Sequence, residues 1–331
     1  MLTTTALAAL YSDPAVFAGE RETVFARNWL VRGFEGDLAG PYDYIAETLA
    51  AYPVMAVRGD GGGLFSFHNV CRHRAGPLAG DAAGNCGQAL VCRYHGWRYA
   101  LDGWLRSAVG FGAAEGSDPR GFGLHTVRIV TWRGLVFVNL EADAAPLMQT
   151  LAPLDRLFGH RVVPAAVLRR RRPIGCNWKV DVENYLEGYH NAPAHPALAA
   201  EVEAGDYAVR MEGADAIHEA PATCAAAEGL WAWVWTNVAF NLYRGGAMVE
   251  YMRPAGHGAT ELDYIYLHQH GAPGMDAALI TTEQLTRQNR WICERVQQNL
   301  DADVYQAGAR SPRRENGVAR FQARLVDQIA A

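Results

Sequence analysis

The 331-residue chain sets 30 Lys and Arg against 35 Asp and Glu, a net charge of −5, with half its residues hydrophobic and a fifth charged. That composition excludes wholesale disorder, and the charge balance lacks the basic excess that nucleic-acid binding needs. The length exceeds what one compact core usually encloses, so about two domains are expected, and neither a lone electron carrier nor a lone metal finger.

Residues 1–27 predict one or two short helices, with Pro14 near the start of one and Glu20, Arg21, Glu22 and Arg27 facing water. The opening MLTTTALAALYSD lacks the basic start and long apolar core of an export signal, and no apolar stretch approaches a membrane span. A cytoplasmic protein without a membrane partner is expected. From Tyr42 to about Leu140 the texture turns to short β-type runs punctuated by glycine. YPVMAVRG and LFSFHNV flank Gly59-Asp60-Gly61-Gly62-Gly63 and predict a hairpin, followed by strands in QALVCRY, WRYALDG and HTVRIVTWRGLVFVNL. This stretch reads as a small antiparallel all-β unit.

Beyond Glu141, Pro146, Pro153 and Pro164 lead into a second unit that mixes element types. Strands are predicted in AVLRRRRPI, WAWVWTNVAFNLY and ELDYIYLHQH, and helices over Asn177–His190 and Leu285–Leu300. Arg169 to Arg172 form the only dense basic run and are expected on a solvated strand face; Lys179 is the only lysine. The expected fold class is α+β: an N-terminal all-β domain and a second domain with one antiparallel sheet gripped by long helices. The expected boundaries are 1–30 for a helical segment packing on the second domain, 31–145 for the β domain, and 146–331 for the rest.

The β unit carries Cys71-Arg72-His73 and, further on, Cys92-Arg93-Tyr94-His95, each pair just after a predicted strand and beside glycine. Two Cys and two His in matching loops point to metal. A tetrahedral zinc site uses the same donors, but its usual spacing groups like ligands together. A Rieske [2Fe–2S] centre needs one thiolate and one imidazole from each loop, one for each iron, and the alternating order here meets that need. Cys86, between the loops, matches no ligand position and reads as a small buried hydrophobe.

In the second unit, NWKVDVENYLEGYHNAPAHP sets Glu183, Glu187 and His190 at i, i+4 and i+7, one stripe of the predicted helix, with His195 just past Pro193. Two histidines close to a carboxylate can converge on one metal.

The segments NVCRHRAGPLA and CRYHGWRYALDG resemble the Rieske motif of ring-hydroxylating oxygenase α subunits, and the resemblance extends by motif order from about Phe17 to Phe321. It implies an N-terminal Rieske domain and a helix-grip catalytic domain. It also implies a [2Fe–2S] cluster on Cys71, His73, Cys92 and His95 with Trp97 beside it, and a mononuclear Fe(II) on His190, His195 and a carboxylate that leaves positions open for O2 and substrate. Glu187 matches the acid that bridges a Rieske histidine of one subunit to an iron histidine of the next; glutamate there is similar to the choline, betaine and carnitine monooxygenase branch. Head-to-tail homotrimers are implied with it.

The family's third ligand is an aspartate in a segment of the type E-D-x-x-x-C-E-x-V-Q, and the matching stretch Gln288-Asn289-Arg290-Trp291-Ile292-Cys293-Glu294-Arg295-Val296-Gln297 holds Asn289 there. Leu285, Asn289, Ile292, Val296 and Leu300 form the expected inward stripe. Asn289 therefore completes the site as a neutral ligand, unless Asp301 or Asp303 substitutes for it or Asn289 is an ordinary buried amide.

Trp231, Trp233 and Trp235 alternate along one strand and share a face. Packing between sheet and helices is one reading; a substrate wall of Trp233 and Trp235 that attracts a methylated ammonium is the other. The sequence shows no reductase motif, so electrons from NAD(P)H are expected through a separate reductase or ferredoxin. The expected activity is O2-dependent hydroxylation of a small organic substrate, with N- or O-demethylation among the outcomes. The competing readings are an electron-transfer or ligand-binding protein impaired by Asn289, and a zinc-stabilised interaction protein.

Overall fold

Alternating apolar residues and glycine turns build the first unit, residues 26–145, from ten short strands among its described residues. In chain order they are β1 (Leu30–Phe34), β2 (Asp43–Leu49), β3 (Tyr52–Arg58), β4 (Leu64–His68), β5 (Ala83–Asn85), β6 (Leu90–Val91), β7 (Arg98–Tyr99), β8 (Leu105–Ser107), β9 (Arg128–Trp132) and β10 (Leu135–Asn139). The computed structural model describes residues 4–112, 119–159, 166–195, 208–213, 215–219, 230–243, 246–268, 275–305 and 308–330. The strands form three antiparallel sheets, ordered β1-β10-β9, β4-β3-β2-β5 and β6-β7-β8. The predicted hairpin across the glycine cluster is present, closed by the Gly59 N–H donating to the Gly63 carbonyl at 2.8 Å. Arg133 and Gly134, both at positive φ, make the two-residue turn between β9 and β10, the backbone twist that such hairpins favour. Met55, Val57, Phe67, Trp97 and Tyr99 close a core around Cys71 and Cys92.

The second unit comprises residues 1–25 and 146–331. Its helices are α1 (Thr4–Ser12), α2 (Pro14–Glu20), α3 (Leu147–Phe158), α4 (Trp178–Tyr185), α5 (Asn191–Ala194), α6 (Met275–Asp301) and α7 (Asn316–Ala330). Its strands are β11 (Ala166–Ile174), β12 (Ala208–Glu212), β13 (Asp215–Glu219), β14 (Leu230–Val234), β15 (Val238–Tyr243), β16 (Gly246–Gly256) and β17 (Ala259–His268), in one antiparallel sheet ordered β11-β17-β16-β15-β14-β13-β12. The fold class is the expected α+β. Cross-strand partners Ala216, Trp233, Ala239, Glu250, Tyr264 and Arg170 form one row on one face of this sheet. The same face receives α7, because the rings of Trp233 and Trp235 meet Phe321 at 5.6 and 5.8 Å. α4 packs on β16 and against α6.

Three expectations are corrected. Glu20 does not face water: it is fully enclosed, its carboxylate accepting the Trp178 indole N–H at 2.9 Å and the Lys179 ammonium. Both partners lie far along the chain, beyond the reach of local periodicity. The helix from Asn177 ends at Tyr185 instead of running to His190. Gly188 follows, and the Glu187 carboxylate accepts the backbone N–H groups of Tyr189 and His190, drawing the chain into a turn. Glu183 consequently belongs to a different site, bonded to the Tyr11 hydroxyl and to Gln322. On α6 the inward stripe holds Thr286, Cys293, Gln297 and Leu300, while Val296 is exposed. Thr286 and Gln297 are polar but satisfied inside. The Thr286 hydroxyl donates to the Tyr264 hydroxyl at 3.0 Å, and the Gln297 amide oxygen accepts the Asn177 N–H at 2.9 Å.

The Arg169–Arg172 run lies on β11 as a solvated face, with Arg171 paired to Asp263 and Arg172 to Glu283. No helix among the described residues is long and apolar enough to cross a membrane.

Candidate metal centres and family

Cys71 follows β4 and Cys92 follows β6, and the two loops share one backbone pattern. Cys71 N–H donates to the Gly76 carbonyl at 2.8 Å and Ala75 N–H to the Cys71 carbonyl at 3.1 Å; Cys92 N–H donates to Trp97 and Gly96 N–H to Cys92, each at 2.9 Å. The residue four past each cysteine, Ala75 or Gly96, takes positive φ, the left-handed bend that turns the loop back on itself. This repeat brings His73 and His95 together, with ring centroids 4.4 Å apart. Trp97 stacks on His73 at 4.9 Å, nearly coplanar, the position expected from the motif.

Three observations show that these loops fit a cluster. Both cysteines are free and buried. His73 Nδ1 is buried without a hydrogen-bond partner, and an orphaned buried nitrogen beside thiols is a ready ligand. A Cβ on Gly76 would stand 2.8 Å from the Cys92 sulfur, so this position keeps the loops close and the sulfur accessible. Tyr99, which the sequence reading did not single out, places its hydroxyl 3.2 Å from the Cys71 sulfur while accepting the Arg72 N–H at 3.1 Å. With its acceptor side occupied, its proton is directed at the sulfur, a contact that stabilises thiolate character. Cys86 stays outside the constellation, its thiol 3.3 Å from the Tyr42 carbonyl.

In the second unit, the turn after α4 and the short helix α5 present His190 and His195 with ring centroids 5.2 Å apart. The Glu187 carboxylate bonds His190 Nδ1, which holds the ring and leaves Nε2 to face a metal. His195, almost fully enclosed, has the Gln288 amide oxygen 2.7 Å from Nδ1 and the Asn289 amide oxygen 2.7 Å from Nε2. A neutral imidazole has one N–H and cannot satisfy both acceptors. With the proton on Nδ1 toward Gln288, Nε2 and the Asn289 amide oxygen present two lone pairs side by side, donor atoms that a metal can take. The donor set therefore fits a mononuclear metal. Asp301 lies twelve residues beyond Asn289 on α6, about 18 Å along its axis, and accepts from Gln297, so neither it nor the exposed Asp303 reaches this place. Gln288, next to Asn289 in the middle of α6, escaped the sequence reading.

Trp233 and Trp235 are enclosed in the core, with Phe321 against both and the Arg324 guanidinium 4.8 Å over the Trp235 ring. The pair is packing, which corrects the substrate-wall reading.

Residues 28–112 match the Rieske [2Fe-2S] domain family, and residues 162–229 and 209–331 match the ring hydroxylating alpha subunit catalytic domain. The chain is 27% identical to the chloroplastic choline monooxygenase of Beta vulgaris, over 96% of this chain and 76% of that protein. It is 29% identical to the carnitine monooxygenase oxygenase subunit of Escherichia coli K12, over 96% and 92% respectively. The quaternary ammonium Rieske monooxygenase CntA, solved with an inhibitor, superposes with a TM-score of 0.83 at 25% identity, covering 97% of this chain and 94% of that one. Naphthalene 1,2-dioxygenase, at 19% identity and a TM-score of 0.76, shares the fold. These matches replace the zinc and electron-carrier readings with an oxygenase that holds a Rieske cluster and a mononuclear iron, takes a small-molecule substrate and draws its electrons from a separate reductase. With a Rieske domain followed by a catalytic-domain match across more than half of its length, the chain belongs to the ring-hydroxylating oxygenase α-subunit family.

Proposed function

We propose that the protein is a monooxygenase for a methylated quaternary amine, with Cys71, His73, Cys92 and His95 holding the cluster and His190, His195 and Asn289 holding the iron. The observation that carries the iron assignment is the convergence of the Asn289 amide oxygen on His195 Nε2, 2.7 Å apart, beside the His190 ring. The substrate class rests on relatives named for choline and carnitine. When bound, the iron activates O2 and the cluster relays single electrons to it. Around them the chain's own groups position and orient. Glu187 fixes the His190 ring, Gln288 fixes that of His195, and Tyr99 directs its proton at the Cys71 sulfur. The overall change consumes O2, two electrons and two protons, turning a substrate C–H into C–OH with release of water. Where the carbon is an N-methyl group, the carbinol releases formaldehyde and leaves a tertiary amine and a proton.

Assembly as a homotrimer belongs to the same proposal. A quaternary ammonium Rieske monooxygenase of this fold is described with inter-subunit electron transfer, and Glu187 stands on His190 where a bridging acid would serve it. Purified enzyme with a reductase, NADH and O2 is offered choline, carnitine and glycine betaine. Substrate-dependent oxygen uptake with 18O in the product is expected; uptake by none of these and by aromatic substrates instead would overturn the substrate class.

A further inference from the structure

Four elements bring polar side chains to one spot on the helix-facing side of the large sheet: Asp181 from α4, Glu250 from β16, Tyr264 from β17 and Thr286 from α6. Glu250 and Tyr264 are direct cross-strand partners and hydrogen-bonded, and Thr286 donates to the Tyr264 hydroxyl at 3.0 Å. Asp181 is 4% exposed, and its Oδ2 is enclosed without a hydrogen-bond partner. The neighbouring cations are engaged elsewhere. Lys179 bonds Glu20, Arg324 lies over Trp235 beside Asp215, and Arg170 at the end of the row is exposed and bonds the Arg169 carbonyl.

Buried carboxylates without a counter-charge are costly, and two in mutual range are more so. Burial pushes Asp181 up to about 7; burial first, then the Asp181 charge, pushes Glu250 up to about 8. Burial thus keeps protons on the pair near neutral pH.

We propose that Asp181 and Glu250, with Tyr264 bonded to Glu250, form the subsite for the ammonium group of the substrate. The inference rests on the quaternary-amine reading above and adds the residues that would select the charge. Position supports it. Thr286 lies one turn before Asn289 on α6, and Asp181 lies one turn before Tyr185 on the helix that ends ahead of His190. The cluster is thus tied through Thr286 to α6, the helix that supplies Asn289, and through Asp181 to the helix that precedes His190. An aromatic face beside two acids attracts a methylated cation further.

Cation binding would favour the ionised carboxylates and so release a proton from the pair. Groups facing the pair are Tyr264 from β17, Cys176 ahead of α4 and Thr286 from α6; Cys176 stays a thiol, its value raised by its bond to Cys293 and by burial. Proton release is thereby assigned to the carboxyls.

The test uses the full-length holoenzyme and isothermal calorimetry, with choline and tetramethylammonium as probes and 3,3-dimethylbutan-1-ol as the uncharged isostere of choline. Wild type should bind choline at least tenfold more tightly than the isostere, release about one proton per choline near pH 7 in buffers of different ionisation enthalpy, and bind more tightly at pH 8 than at pH 6.5. Asp181→Asn and Glu250→Gln keep the shape and remove charge. Each should keep the cluster colour and thermal stability while its preference for choline over the isostere falls to within about twofold. If both folded variants retain the tenfold preference, or if wild type binds choline with no proton released, the subsite is wrong while the substrate class stands. If wild type prefers neither cation over the neutral isostere, the substrate class fails and the subsite with it.

Discussion

Replacing Lys179 by Met isolates what fixes the base of the arm that carries His190. The Lys179 ammonium and the Glu20 carboxylate are both fully enclosed and bonded to each other, and Glu20 also takes the Trp178 indole N–H. Burial holds the ammonium below its ordinary range, and only Glu20 and then Glu183 oppose that push. Removing one member of such a pair strands the other in the interior, a loss of about 3–5 kcal/mol. The ammonium also lies 5.4 Å over the Trp178 ring and 5.8 Å over that of Tyr11, contacts worth about 1 kcal/mol together. For a unit of about 200 residues, each kcal/mol moves Tm by about 2–4 °C, so Lys179→Met should lower Tm by between about 8 and 24 °C. Adding Glu20→Gln should restore much of that loss, because the stranded charge is gone. Calorimetry of wild type, both singles and the double variant measures the coupling. A Tm fall under 3 °C in Lys179→Met, or a double variant equal to the sum of the singles, refutes the reasoning.

Gly76→Ala should bleach the protein, since the new Cβ meets the Cys92 sulfur at 2.8 Å and the Tyr94 Cβ at 3.0 Å; full visible absorbance and acid-labile sulfide in this variant would sink the close-approach argument. Asn289→Asp should bind the mononuclear iron at least as tightly as wild type, by added negative charge, whereas Asn289→Leu should lose that iron yet keep the cluster; iron per chain, by elemental analysis, decides. Glu187→Gln should retain both metals but turn over at least tenfold more slowly, and normal turnover would exclude a bridging role. Stability should fall as pH rises from 6.5 to 8. Burial raises Asp181, Asp215 and Glu183 to about 7 and Glu250 to about 8, so the native state binds more protons than the unfolded chain, at up to about 1.4 kcal/mol per pH unit for each group. His218, held by burial at about 3, acts in the opposite sense only below the ordinary histidine range. A Tm that rises across this window would contradict the burial of these acids.

The cluster loops were legible because their chemistry demands fixed donors at short spacing: Cys71 to His73 and Cys92 to His95 are local patterns that no packing rearranges. The hairpin at Gly59 was equally local. What sequence missed is what depends on partners remote in the chain. Glu20 reads as solvent-facing until Lys179 and Trp178 meet it. Val296 reads as core because apolar periodicity cannot anticipate that Gln297 is satisfied by Asn177. The helix through His190 failed for a subtler reason, since Glu187 serves at once as a cap for two backbone N–H groups and as the partner of a histidine ring. Asn289 was legible as a residue directed at the two histidines, but the second amide on His195, from Gln288, appears only once α6 is laid beside α5.

One enclosed lysine has a practical side. With Lys179 sealed against Glu20, amine-reactive crosslinkers and acyl-transferring enzymes find no side chain to modify, so a lysine-directed map of the reductase contact would return blank even from a productive complex. The positive charge near the cluster loops, on Arg72, Arg74, Arg93 and Arg98, is entirely guanidinium and does not titrate away in alkaline buffer. In alkaline buffer, attraction of an acidic electron donor to that surface should therefore respond to ionic strength but not to pH up to about 11, and glyoxal reagents, not succinimidyl esters, are the probes that can footprint it.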